Sequence, residues 1–151
     1  MHRIDYSKAV MAGLAGTAAF SVFGLILSAL GIPGAAPWVM VATFLQAAPL
    51  VGWIGHFLIG IGFAVLYAAI AGRVPGSSPA SKGAVYGVFV WLVAMILAVP
   101  IMMGAPIFAG SVLVALMSLF GHLIYGSVTG AVYSHAYATA PERAAQRARG
   151  H

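Results

Sequence analysis

Between Lys8 and Arg73, and again between Lys82 and Glu142, the chain carries no charged side chain. Four apolar blocks fill those reaches: Ala9 to Leu30, Pro49 to Ala71, Gly83 to about Gly104, and Gly110 to about Tyr137. A helix rises ~1.5 Å per residue, so each block is long enough to cross the ~30 Å hydrocarbon layer of a bilayer. Backbone N–H and C=O groups cannot be left unpaired in hydrocarbon, and a helix pairs them within the segment itself. The chain is 62% hydrophobic and 6% charged, against roughly 25% charged in a soluble domain, so it cannot cover a water-facing surface. The expectation is an all-α integral membrane protein of four transmembrane helices, one membrane domain over residues 1–151.

The polar segments divide that domain. RVPGSSPASK (73–82) reads as a solvated loop, and the basic residues beyond 138 as a tail. All seven Lys and Arg residues, Arg3, Lys8, Arg73, Lys82, Arg143, Arg147 and Arg149, lie in the leader, this loop or the tail. By the positive-inside rule, the N- and C-termini and the central loop are expected to be cytoplasmic. The leader resembles a signal peptide, with basic residues ahead of an apolar run ending in SALG. That run is longer than a usual signal core, and a similar segment recurs mid-chain, so a retained helix is expected. The first outer connection, PGAAPWVMVATFLQAAP (33–49), is too apolar for a free loop and too short to span. A short interfacial or re-entrant helix is expected there, with Trp38 and Trp53 near the outer headgroup boundary. Its counterpart, PIMMGAP (100–106), is shorter.

The chain also repeats itself. Lys8 opens KAVMAG and Lys82 opens KGAVYG, each five residues before a glycine, Gly13 or Gly87. GHFLIGIGFAVLYA (55–68) aligns without gaps to GHLIYGSVTGAVYS (121–134), which pairs His56 with His122, Gly60 with Gly126, and Tyr67 with Tyr133. Each unit holds two spans, so the copies enter the membrane in the same direction. The expected architecture is two parallel helical-hairpin repeats, 8–72 and 82–137, about a pseudo-twofold axis along the membrane normal. His56 and His122 then lie at matched depth in the outer half.

Spacing defines the inward faces. Gly52, His56, Gly60, Phe63 and Tyr67 fall on one stripe of the second span; Ser118, His122, Gly126 or Tyr125, Thr129 and Tyr133 form the equivalent polar stripe of the fourth. Membrane bundles pack through small residues and a few polar side chains, so Gly13, Gly52, Gly55, Gly60, Gly87, Gly121, Gly126 and Gly130 are the expected packing glycines, helped by GxxxG spacings at Gly83–Gly87 and Gly126–Gly130. Tyr67 and Tyr133 are expected as interfacial anchors near the cytoplasmic boundary. His135 and His151 are expected to meet solvent or headgroups.

The histidines admit three readings. A neutral pair can fix helix register by hydrogen bonding to each other, to Ser118, Thr17, Ser21 or a backbone carbonyl. Two imidazoles at matched depth, each preceded by a glycine that leaves room for a macrocycle, could instead be the axial ligands of a haem b. They could also line a small-solute or proton path in an oligomer. The outer half offers no Arg or Lys for haem propionates. Two histidines fall short of a closed zinc or copper site, and Met40, Met102, Met103 and Met117 read as filler. With no cysteine there is no thiolate or iron–sulfur chemistry. Asp5 and Glu142 are the only carboxylates and both lie outside the spans, so no carboxylate pair or triad is on offer and no enzyme is expected. The basic residues form no dense patch, so the expected partners are the lipid bilayer, a second copy, or a larger membrane complex, and not nucleic acid.

The GHxxxG helices and the KGAVYGVFVWLVAMILAVPIMMG segment resemble an uncharacterised family of short bacterial four-span inner-membrane proteins, over residues of about 8–137. The resemblance implies the four-span fold and a bacterial inner-membrane location. It implies no activity and no catalytic residue. The expectation is an accessory or scaffold subunit.

Overall fold

Each helix starts where the sequence supplies a local signal. The computed structural model describes residues 4–32 and 36–149, with side chains through Ser134. Helix α1 (Tyr6–Ala29) is capped by Asp5, whose carboxylate accepts from the Lys8 backbone N–H at 3.1 Å and pairs with the Lys8 ammonium at 3.2 Å. That N–H bond, together with the Lys8 charge, holds the Asp5 carboxyl below the usual carboxylate range. Helices α2 (Pro37–Phe44), α3 (Pro49–Ile70) and α4 (Pro79–Val93) each carry proline in the first turn, where a missing N–H costs no helical bond.

A capping box also precedes α4: Ser81 N–H donates to Ser78 Oγ at 3.1 Å and Ser78 N–H to Ser81 Oγ at 2.9 Å. This box starts the helix inside the stretch expected to be loop, so residues 79–82 form its first turn. Past Val93 the helix widens into a π turn, Ala94–Ala98, and then continues as α5 (Val99–Met103). Pro100 explains the widening. Its ring would strike the carbonyl four residues back, and the looser turn, in which Val99 N–H reaches the Ala94 carbonyl, makes room. After a left-handed turn at Phe108 and Ala109, α6 (Val112–Arg149) runs as one helix through the region expected to be a tail.

Four of these segments are long and apolar enough to cross a membrane: Tyr6–Ala29, Pro49–Ile70, Pro79–Met103 and Val112–Ser134. They coincide with the four apolar blocks. The short α2 supplies the expected extra helix between the first two. The outside of the bundle is also more apolar than its inside. Met11, Val22, Ile54, Leu58 and Ile101 face outward, while the buried set is rich in glycine, alanine, Thr17, Ser21, Thr129, both histidines and tyrosines. A water-soluble bundle has the opposite polarity, whereas helices in lipid gain most from close backbone packing and interior hydrogen bonds.

Helix α1 is central, packed on α3 along one side and on α6 along the other; α4 packs on the far side of α6, and α2 lies over α3. A strict twofold would make the α1–α6 and α3–α4 contacts equivalent. They differ: α1 and α6 approach closely, whereas α3 and α4 meet mainly through a side chain, Tyr86, whose hydroxyl donates to the Phe63 carbonyl at 2.7 Å.

Candidate functional site

The buried polar residues gather where α1 passes between α3 and α6, and glycine decides how closely each pair approaches. On α4 and α6, Gly83, Gly87, Gly126 and Gly130 interlock: a Cβ at Gly83 would collide with the Gly126 carbonyl, one at Gly126 with the Gly83 carbonyl, and one at Gly87 with the His122 carbonyl. The two GxxxG motifs thus face each other across one antiparallel seam. On α1 and α3, Gly13 lies against the backbone of Gly60 and Ile61, and Gly60 makes room for the Thr17 side chain. Gly16, absent from the expected packing set, is pressed against Thr129 and Tyr125 of α6. Gly52 and Gly55 serve a different contact: they accommodate Trp38, Ala42 and Val41 of α2.

His56 and His122 are both buried. His56 Nε2 lies 3.2 Å from Ser21 Oγ. The Ser21 hydroxyl donates its one proton to the Thr17 carbonyl at 2.7 Å, so it accepts from His56, which places the imidazole proton on Nε2. His122 takes the other tautomer. Its Nδ1 lies 2.8 Å from the Ser118 carbonyl, which can only accept, so the proton is on Nδ1, with Ser118 Oγ a longer neighbour at 3.4 Å. One ring is thus bonded across the bundle and the other to its own helix.

The histidines do not bond to each other, because Phe20 of α1 lies between them. Its ring centroid is 5.8 Å from that of His56 and 4.9 Å from that of His122. The space beside Gly121 is filled by this same phenyl ring, and that beside Gly55 by Val41. His56 is further enclosed by Trp38, Trp53 and Phe57, with centroids 6.2, 6.5 and 6.0 Å away. Trp38 and Trp53 stack at 4.2 Å, and Trp38 is buried against α3.

Toward the other end, tyrosines tie the helices. Tyr125 Oη donates to the Gly60 carbonyl at 2.6 Å, and Thr129 Oγ1 to the Ala12 carbonyl at 3.4 Å. Tyr67 packs against Tyr86 at 5.2 Å and Tyr133 at 6.1 Å. Tyr67 and Tyr133 were expected as interfacial anchors; they are buried core residues, because the wide α3–α4 gap needs large rings to fill it. Trp91 Nε1 donates to the Ala115 carbonyl at 3.0 Å. Phe20, Tyr86 and Trp91 escaped the sequence reading; continuing the Gly13 stripe of α1 by helical steps through Thr17, Phe20 and Ser21 would have exposed the first.

Among the described residues no group of three or more His, Cys, Asp or Glu side chains is placed to hold a metal. His135 and His151 lie outside the described side chains.

These features define an all-helical protein with four spans suited to a membrane and a buried polar seam. The chain belongs to the Family of unknown function (DUF6789), whose model matches residues 4–144. No curated protein and no solved structure matches it.

Proposed function

We propose that the chain is a non-enzymatic integral protein of a bacterial inner membrane, an accessory or scaffold subunit acting as a homo-oligomer or within a larger membrane assembly. One observation carries this reading: most of the interior polar side chains are bonded within the bundle, with the buried Thr17 hydroxyl and that of Tyr67 as exceptions. His56 is bonded to Ser21, His122 to Ser118, Tyr86 to Phe63, Tyr125 to Gly60 and Trp91 to Ala115. Backbone-level glycine seams leave little between the helices. What remains to meet other molecules is the outer surface and the two ends.

The charge asymmetry supports cytoplasmic termini and a cytoplasmic 73–82 loop, and the matched GHxxxG segments support an ancestral hairpin duplication that has since diverged in its packing. A haem ligated by both histidines would have to displace Phe20 and break the His56–Ser21 bond, which favours the structural role of the pair. Purification from native membranes in mild detergent, with mass measured by light scattering and partners by mass spectrometry, tests the proposal. A dimer or higher assembly, or a stoichiometric membrane partner, is expected. A monodisperse monomer without any stoichiometric partner overturns it.

A further inference from the structure

Where α3 ends and α4 begins, a cleft of about 370 Å³ opens between Tyr67, Tyr133, Gly76, Ser77, Ser78 and Lys82. Two of its groups lack the partner that their chemistry calls for. Tyr67 is 1% exposed, with its ring held by Tyr86 and Tyr133, yet its hydroxyl makes no hydrogen bond to any described residue and lines this cleft. That hydroxyl is the accessible edge of an otherwise buried ring, so a molecule in the cleft can bond to it. Lys82 is half-buried and has no ion pair among the described residues, whereas Lys8, at the equivalent place in the first half, pairs with Asp5. Among the described residues no carboxylate lines the cleft.

The walls therefore combine the Lys82 and Tyr67 side chains with the N-terminal end of α4, which carries partial positive charge although its Ser78 and Ser81 hydroxyls are spent on the capping box. Arg73 is exposed on the adjoining loop. Donors converging without an acceptor of matching charge suit a phosphate group. The cleft also sits where two spans leave the apolar layer, the level of lipid phosphates.

We propose that this cleft binds a phosphate group, either the headgroup of an anionic phospholipid or a free phosphate, with Lys82 and Tyr67 as its principal contacts. The test uses the full-length protein in neutral detergent, titrated separately with short-chain phosphatidylglycerol, phosphatidylcholine and inorganic phosphate, with binding followed by native mass spectrometry and thermal midpoint. Saturable binding of phosphatidylglycerol or inorganic phosphate, weaker for zwitterionic phosphatidylcholine, is expected. Response to phosphatidylglycerol alone assigns the lipid, and response to inorganic phosphate the free anion. Lys82→Gln and Tyr67→Phe should each weaken the apparent affinity about tenfold, as for loss of one hydrogen bond to a charged group. Tyr67→Phe keeps the buried ring, so its effect is read on a folded protein. Lys8→Gln makes the same change in net charge away from the cleft and should bind as the parent does. Absence of binding by either anion, unchanged affinity in both cleft variants, or an equal loss in Lys8→Gln overturns the proposal.

Discussion

The two helix pairs that the sequence relates, α1 with α3 and α4 with α6, hold their histidines in different ways. Aligning Lys8 with Lys82 and Gly13 with Gly87 sets Ser21 opposite Met95 and Thr17 opposite Trp91. His56 therefore finds a hydroxyl on the facing helix, while His122 has a thioether at the corresponding place and turns to its own Ser118 carbonyl. The backbones compensate. Where no bond reaches His122 from the facing helix, glycines bring α4 and α6 into direct contact, with Gly87 against the His122 carbonyl. Both pairs combine glycine contact with a side-chain bond, but only in the first pair does that bond hold the histidine, while in the second it runs from Trp91 to the Ala115 carbonyl.

The largest expected effect comes from breaking the glycine-built pair. Gly83→Leu places side-chain atoms where the Gly126 carbonyl lies, which only helix separation can relieve. A loss of roughly 3 kcal/mol or more is expected, read as failure to recover folded protein or as a large drop in the detergent unfolding midpoint. Phe20→Ala removes the ring that both histidines share and leaves a void beside Gly121; about 3 kcal/mol is expected by the same measurement. Ser21→Ala strikes only the bonded pair. It should cost about 1–2 kcal/mol, and adding His56→Ala should cost less than it does alone, whereas Ser21→Ala and His122→Ala should be additive in a double-mutant cycle. Ser118→Ala, which leaves the carbonyl bonded to His122 in place, should change stability by under about 0.5 kcal/mol.

The smallest effect belongs to the charged cap of the first pair, where the second has the neutral Ser78–Ser81 box. Asp5 has a folded-state pKa below its unfolded value of 3.8, so its contribution is fully present above that value and is lost as pH falls through the lower, folded one. Asp5→Asn should abolish that acid-side dependence in a pH series of unfolding midpoints and lower the neutral-pH midpoint slightly, toward the value the parent reaches in acid.

The spans were legible because hydrocarbon thickness imposes a length and forbids charge, and both can be read from residues 9–30 or 49–71 without knowing any neighbour. The short helix after Pro37 was legible for a related reason, as an apolar segment too short to cross. The facing GxxxG motifs were visible as spacing, though their mutual contact was not. Boundaries failed where local chemistry overrode composition: Ser78 and Ser81 draw a serine-rich stretch into a helix. In the site, the stripe through His56 and Gly60 was found, but the role of Gly52 was misplaced because periodicity identifies a face without identifying what lies on it. Phe20 was missed because an aromatic residue in an apolar span carries no signal of its own. Its meaning comes from Gly121, a hundred residues away in sequence, which clears space for it.

The stacked indoles of Trp38 and Trp53 make the molecule report optically on itself. Two rings 4.2 Å apart and inclined by only 11° couple their electronic transitions, while Trp91, across the bundle beside Phe108, stays outside the pair. Undocking of α2 would separate the coupled chromophores and collapse their near-ultraviolet dichroism, leaving the Trp91 band as an internal reference. The chain thus contains a label-free readout of whether its shortest helix is seated.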